Sequence, residues 1–592
     1  YQNSFLNIKL FKGFWYQLSK SRKKELILLL ILITFSGIAE FTTVNAAIPF
    51  LKAIEMQNNL KDIQFINFLS NFLSIDNNGK LFLIISIIFL LVIFISSTLR
   101  LLTLWFSNRL TAKIGTDISC KIFEKILYEP YEIQIKRNSS EIISLISNEL
   151  YVSIGVIQQA FYLINALLVI SFIFISLLNV NFKISIFALI IFSFYYILLG
   201  NIFRKKLLRN STFVTKAREN LTKNIQESLG GIREILLDGS QSTFINIYKK
   251  EDLPMRLKEY QNNFLQSFPK LSLEAIGLLF FSVFAMFMYF SNSSNTKILP
   301  IIGSFAIASQ RLLISMQQAY AGWSGIKSNN AALEKVLEFL NIFEYKAKSK
   351  EMINPIKEVY KINVEDLNFK YESGSQYIFK ELNIAIKKGE KIGVIGSTGV
   401  GKSTLIDLLI GLLKPSMGKI LINDKDINHK NNSSFLFSWQ KSITHVPQKI
   451  FLIDKSFIEN IAFGIPLEMI DIAKVKKCAE IAHIAPYIES LPNKYQTSLG
   501  ERGTKLSGGQ IQRIAIARAL YKPAKVLILD EATSALDIST ESKIIKSINK
   551  IDKNIIIIMI AHRYASLKSC SRILKIENGL INDLGDPKIA LG

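Results

Sequence analysis

Gly396-Ser397-Thr398-Gly399-Val400-Gly401-Lys402-Ser403-Thr404 decides the fold of half of this chain. A short apolar run, 391–395, leads into it and an apolar-periodic stretch follows, so the order is strand, glycine-rich loop, helix. Glycines let successive backbone N–H groups close around phosphate oxygens at a helix N-terminus. Lys402 then reaches the β/γ oxygens, and the Ser403 hydroxyl is placed for Mg²⁺. Further along, Val526-Leu527-Ile528-Leu529 delivers Asp530-Glu531 at the carboxyl end of a second strand, where α/β sheets gather their ligands. Asp530 suits the metal and Glu531 a general base that orients a water. The alternation of short β-branched strands with helices predicts an α/β domain with a mostly parallel sheet over 359–592.

Upstream the composition changes. The 592 residues are 49% hydrophobic although 20% are charged, too apolar for a soluble chain of that charge. Six apolar segments, 26–50, 81–106, 153–180, 182–203, 271–290 and 298–320, each approach or exceed the roughly 20 residues that cross a bilayer as a helix. The expected fold class is therefore multidomain: an all-α six-helix transmembrane domain over 26–345, then the α/β ATPase. Residues 346–358, charged and carrying Pro355, read as a linker, and 1–25 as a cytoplasmic lead-in helix.

The formal charge of +24 follows the same division. Loops two and four are long and basic, with Arg109, Lys113, Lys121, Lys125, Lys136 and Arg137 in one and Arg204, Lys205, Lys206 and Arg209 in the other. The remaining loops are short or charge-balanced. Positive-inside topology explains this and places both termini in the cytoplasm of a multi-pass plasma or inner membrane protein; a nucleic-acid partner is not expected. Helical spacing in Ile142, Ile143 and Ile146, and in Ile225, Leu229 and Ile232, predicts that the membrane helices run on into the cytoplasm. They break at Glu129-Pro130-Tyr131 and Asp238-Gly239-Ser240. Cys120, Cys478 and Cys570 have no metal-ligand or disulfide spacing.

Leu506-Ser507-Gly508-Gly509-Gln510, just ahead of a helix, resembles the signature of the ATP-binding cassette (ABC) superfamily. The resemblance implies further roles in order along the chain. Tyr371 would stack on adenine, Gln448 would contact Mg²⁺ and water, Ser534-Ala535-Leu536-Asp537 would form the dimer-crossing loop, and His562 would touch the γ-phosphate. It also implies that Ser507, Gly508, Gly509 and Gln510 face the phosphate loop of a second subunit. One cassette per chain then requires a dimer, expected to be a homodimer. Six membrane segments followed by a cassette resemble the exporter-type half-transporter, with the two cytoplasmic breaks as coupling helices. No motif departs from the hydrolytic pattern, so ATP and Mg²⁺ are the expected cofactors, and an ATP-gated channel is a distant alternative.

Ionisable residues within the membrane segments include Glu40, Arg100, Glu274 and Arg311. Such residues hold helices together or face a cavity; the two arginines suit an anionic headgroup. Phe65, Phe68, Leu69, Phe72 and Leu73 would give the first outer loop an apolar face at the membrane surface. With Ala47-Ile48-Pro49-Phe50, Leu273-Glu274-Ala275-Ile276-Gly277 and Arg311-Leu312, these features resemble bacterial lipid-linked oligosaccharide flippases. The expected substrate is an amphipathic, lipid-like molecule, with small-drug efflux as the alternative.

Overall fold

The structure is a computed structural model that describes residues 8–55, 64–73, 77–180, 182–291, 298–341, 353–371, 376–429, 433–549, 554–561 and 563–590. The chain divides into two bodies: residues 1–129 with 136–345, and residues 346–592 with the short segment Pro130–Ile135.

The first body is helical. Its elements are α1 (Ile8–Gln17), α2 (Lys20–Glu55), α3 (Gln64–Leu73) and α4 (Asn78–Tyr128). After α5 (Tyr131–Gln134), which belongs to the other body, come α6 (Ser139–Ser144), α7 (Leu150–Val180), α8 (Phe182–Gly230) and α9 (Ile232–Leu237). The run closes with α10 (Gln241–Ser291), α11 (Ile298–Ser328) and α12 (Asn330–Asn341). One π-helical turn, Leu145–Glu149, joins α6 to α7.

The 51 residues of α4 extend about 76 Å at 1.5 Å per residue, well over twice the roughly 30 Å hydrocarbon thickness. This helix is therefore much longer than one crossing needs. The Asn77 side chain starts it by accepting from the N–H groups of Gly79 and Lys80. One stripe of α4, Leu110, Ile114, Ile118 and Ile122 at four-residue spacing, is buried with Leu29 and Ile33 of α2, Ile157 of α7 and Leu333 of α12. Its opposite face exposes Leu90, Leu91, Phe94 and Leu101. An apolar surface of that extent is stable against lipid, not water.

Among the described residues four helices are long and apolar enough to span a bilayer: Lys20–Glu55, Asn78–Tyr128, Ser139–Leu178 and Ser185–Gly230. The fifth and sixth expected segments lie in α10 and α11. Those two helices do not reach that measure over their described residues.

The second body holds two sheets. Its strands are β1 (Lys361–Phe369), β2 (Phe379–Lys387), β3 (Lys391–Gly396), β4 (Met417–Ile422), β5 (Lys425–Asp426), β6 (Ile443–Val446), β7 (Val526–Asp530), β8 (Ile556–Ile560), β9 (Arg572–Glu577) and β10 (Leu580–Gly585). The larger sheet runs β10-β9-β3-β8-β7-β6 and is parallel except for the β9/β10 hairpin. Every residue of β7 and β8 is buried, as a strand covered on both faces requires.

The smaller sheet, β2-β1-β4-β5, is antiparallel throughout and stands beside the mostly parallel sheet that was expected. Its strands alternate buried and exposed residues, as in β2, because only one face meets the core. Their β-branched composition matches that of parallel strands, so the pairing direction was not legible locally.

Candidate functional site

The phosphate loop connects β3 to the helix Lys402–Ile410. Gly399 and Gly401 have φ of +82° and +106°, which L side chains rarely adopt. A Cβ at Gly401 would also stand 2.7 Å from the Ile378 side chain, so the loop needs glycine there twice over. Gly396, Ser397, Thr398 and Val400 complete the turn, with the Val400 N–H bonded to Ser397 O. Lys402 is buried, and its Nζ donates to Gly396 O (2.8 Å) and Ser397 O (2.9 Å), so the loop's own carbonyls hold the ammonium over the space the glycines leave open.

Two expected residues, Asp530 and Tyr371, touch this segment, and Gln448 pairs with Glu531, the neighbour of Asp530. Ser403 Oγ donates to Asp530 Oδ2 at 3.4 Å, which joins two of the three expected metal ligands across 127 residues of sequence. Gln448 Nε2 donates to Glu531 Oε2 at 2.9 Å, so the amide steadies the expected general base. Tyr371 lies edge-on to Phe369, and its hydroxyl is 3.3 Å from Thr404 Oγ1. Glu531 itself has φ +49°, an unusual conformation for a residue other than glycine. Its N–H is tied to Ile560 O, which fixes the carboxylate's exit from the sheet.

The electrostatics suit a cation. Burial raises the Asp530 carboxyl above the usual range, and Glu531 adds to the rise, while Ser403 and Lys402 oppose it. Burial and the charge of Asp530 push Asp407, on the loop's helix, up to about 6. A buried acidic cluster of this kind is relieved by positive charge.

Ser507, Gly508, Gly509 and Gln510 open the helix Gly508–Tyr521. Ser507 Oγ accepts from Gln510 N–H while the Gln510 side chain accepts from Ser507 N–H, a reciprocal cap that fixes the helix start. Gly509 lies close to the 534–537 loop: a Cβ there would be 3.2 Å from Ala535 O. His562 lies outside the described residues.

Three side chains that carry this arrangement escaped the sequence reading. Gln512 donates to Ser534 Oγ (3.0 Å) and to Glu531 O (3.4 Å), and accepts from Ala535 N–H (2.9 Å), so it couples the helix Gly508–Tyr521 to the backbone of the expected general base. Arg563, next to His562, donates to Leu536 O (2.9 Å) and Ser534 O (3.2 Å). Buried Glu541 ties Thr533, Arg563 and Ser566 together. Their only signal in sequence is position beside known motifs.

The segment Pro130–Ile135, near the first cytoplasmic break, belongs to this second body. Glu132 Oε1 accepts from Lys414 N–H at 2.8 Å, and burial with the charge of Asp407 raises the Tyr131 hydroxyl pKa.

In the first body, Glu40 is buried and pairs with Arg100 (3.2 Å) and Arg311 (3.5 Å). The reading of these three as residues that hold helices together therefore applies to the carboxylate. They line a cavity of about 640 Å³ whose other walls combine apolar side chains such as Ile173 and Ile314 with Tyr162, Asn165 and Gln318. Glu274 is exposed on α10 and is not among the lining residues. On α3, Phe68 and Phe72 are exposed and stacked at 6.3 Å, whereas Ile66 is fully buried. The side chains of Phe65, Leu69 and Leu73 lie outside those described.

Two family models match, the ABC transporter transmembrane region over residues 26–316 and the ABC transporter model over 379–534. An ATP-dependent lipid A-core flippase of Saccharophagus degradans is 28% identical over 84% of this chain and 83% of its own length. A putative multidrug export ATP-binding/permease protein, YgaD of Bacillus subtilis, is 25% identical over 86% and 87%. The chloroplastic ABC transporter B family member 29 of Arabidopsis thaliana is 32% identical, but the match spans 52% of this chain and 47% of the plant protein. Among solved structures, a bacterial Atm1-family ABC exporter with ATP bound has a TM-score of 0.78 over 96% of this chain and 95% of that one, at 20% identity. Membrane helices, a glycine loop facing an acidic pair, and both family models in this order identify the chain as an ABC transporter of half-transporter exporter design, its ATPase following its transmembrane region.

Proposed function

We propose that two copies of this chain form a homodimer that exports or flips an amphipathic, lipid-like molecule across the plasma or inner membrane, with both termini in the cytoplasm. The cavity beside Glu40, Arg100 and Arg311 carries this reading, because apolar walls around a few charged groups match a molecule with a tail and a polar head. The exposed Phe68–Phe72 pair adds an apolar handle on the outer loop. Small-drug efflux is the second reading, favoured by the similarity to a putative multidrug exporter.

In the ATPase, Lys402 would leave the loop carbonyls for the β/γ oxygens of ATP, and Tyr371 would stack on the base. Glu531, steadied by Gln448, would orient the attacking water, and His562 would meet the γ-phosphate. The hard oxygen donors of Ser403, Asp530 and Gln448 fit Mg²⁺, and Ser403 and Asp530 are already adjacent. When bound, that ion would neutralise charge on the phosphates. The capped start of the helix Gly508–Tyr521 would offer Ser507, Gly508, Gly509 and Gln510 to the partner's ATP.

Pairing is supported by the tip between α8 and α10, where Leu229, Ile232, Leu236, Leu237 and Ile245 are exposed. These side chains lie beside the second cytoplasmic break, and a second copy would cover them.

The test is ATP-driven movement of a fluorescent lipid between leaflets of proteoliposomes. With Glu531→Gln in both subunits, ATPase rate and movement should fall together by about 10²-fold or more while ATP binding persists. Lipid movement that survives this change, or drug efflux with no lipid movement, refutes the lipid reading.

A further inference from the structure

Glu40 is an unusual ion-pair partner because one carboxylate serves two guanidinium groups. It sits on α2, while Arg100 and Arg311 come from α4 and α11, so a single buried acid ties three membrane helices. Oε1 makes both contacts, and Oε2 is buried without a hydrogen-bond partner among the described residues. Two positive charges therefore face one negative charge in a medium that penalises the imbalance. Exposure is just as uneven: the Glu40 side chain is 3% exposed, against 41% for Arg100 and 29% for Arg311. The acid is sealed in the helix bundle, whereas the cations open onto the cavity.

Each guanidinium has five N–H donors in a planar fork, far more than one carboxylate oxygen can accept. A phosphate ester offers several oxygens and at least one negative charge, and would balance the cavity walls. It would also compete with Glu40, since both seek the same donors. We propose that Glu40 is the resident counter-ion of an anion site, exchanged for a phosphate-ester headgroup held by Arg100 and Arg311 when the cavity is loaded. The proposal rests on the reading of this cavity as the substrate site and names the headgroup class. Exchange loosens the tie between α2, α4 and α11, so loading the cavity alters the packing of the helices that ATP must rearrange.

Sign separates this role from a merely structural one. Loss of a structural carboxylate weakens binding of any ligand, whereas loss of a competing counter-ion strengthens binding of anions alone. The full-length protein, without nucleotide, is released from nanodiscs and its bound lipid resolved by native mass spectrometry, with lysophosphatidic acid and monoacylglycerol of the same chain length in competition. Glu40→Gln should raise the preference for lysophosphatidic acid on the order of ten- to a hundredfold, the effect of removing one charge several ångströms from the headgroup at an effective dielectric near 20. Arg100→Gln and Arg311→Gln should each lower it about tenfold. Glu40→Asp, which shortens the acid without discharging it, should give a smaller rise, and it decides the matter if the Gln variant does not fold.

Inorganic phosphate at millimolar concentration forms a further arm. Displacement of lysophosphatidic acid by it assigns the site to the free ion, and failure to displace assigns it to the lipid headgroup; both keep the anion exchange. An unchanged or reduced preference in the Glu40 variants overturns it. Because nucleotide is absent, a raised preference beside failed lipid movement in proteoliposomes would sink the transport reading and leave the exchange standing.

Discussion

Asp407 and His445 oppose each other in the pH response of the ATPase body. Burial and the charge of Asp530 push Asp407 up from 3.8 to about 6, and burial pushes His445, on β6, down from 6.5 to about 4. The Asp407 contribution to stability is present below pH 3.8 and lost as pH rises through about 6, because the unfolded chain ionises first. The His445 contribution is present above pH 6.5 and lost as pH falls through about 4, because the unfolded chain takes up the proton first. His445 Nε2 is buried with no hydrogen-bond partner among the described residues, which leaves an imidazolium nothing to bind. Between pH 4 and 6 the two slopes have opposite sign and nearly cancel.

Single substitutions should unmask each slope. At 1.36 kcal/mol per unit of pKa, the raised Asp407 pKa costs at most about 1.5 kcal/mol at pH 5 and about 3 at pH 7, upper limits because the carboxyl is partly exposed and solvent screens it. The buried His445 costs about 2 kcal/mol at pH 5 and almost nothing at pH 7. Asp407→Asn should therefore stabilise the nucleotide-free ATPase body more at pH 7 than at pH 5, and His445→Gln should do the reverse relative to its own constant packing loss. Hydrogen exchange of the β6 and β7 amides in the full-length protein, compared with wild type at each pH, reads both effects. The Asp407→Asn advantage should grow about tenfold in protection from pH 5 to pH 7. An advantage that stays constant across that range, or shrinks, refutes the reasoning.

Two other perturbations test the site's supports. Gly418→Ala should destabilise the ATPase body by at least about 3 kcal/mol in a denaturant titration, because φ is +86° and the new Cβ would lie 2.4 Å from Asp366 O and 2.5 Å from Glu365 O, both backbone. Gln512→Ala should lower kcat for ATP about tenfold and leave ATP affinity nearly unchanged, since the hydrogen bonds of Gln512 among the described residues go to the backbone of Glu531 and to Ser534 and Ala535; a matching loss of affinity would count against a positioning role.

What could be read from the sequence was what the chain writes contiguously. The phosphate loop needs nine neighbouring residues, so its glycines, Lys402 and Ser403 declare the turn before any tertiary contact exists. Asp530-Glu531 is legible for the same reason, as the end of an all-apolar strand. The antiparallel sheet was hidden because pairing direction is a tertiary property: β1 takes β2 on one edge and β4 on the other, from segments more than thirty residues apart, and nothing in its composition records the choice. Gln512, Arg563 and Glu541 were hidden for a related reason, since each acts through partners 8 to 29 residues away whose own roles are backbone carbonyls or hydroxyls. Glu40, Arg100 and Arg311 stand between these cases. A charge in a membrane segment is visible in sequence as a cost that something must offset. Which charge offsets which depends on how α2, α4 and α11 are rotated about their axes, and the result here, one acid for two bases, is an imbalance that no count of segment charges foretells: Glu274, the other acid of these segments, is exposed on α10 and does not line the cavity, so the cavity walls keep a surplus positive charge. The charge total along a sequence is therefore a poor guide to the charge at a site, and the local surplus, not the total, is what selects an anionic guest.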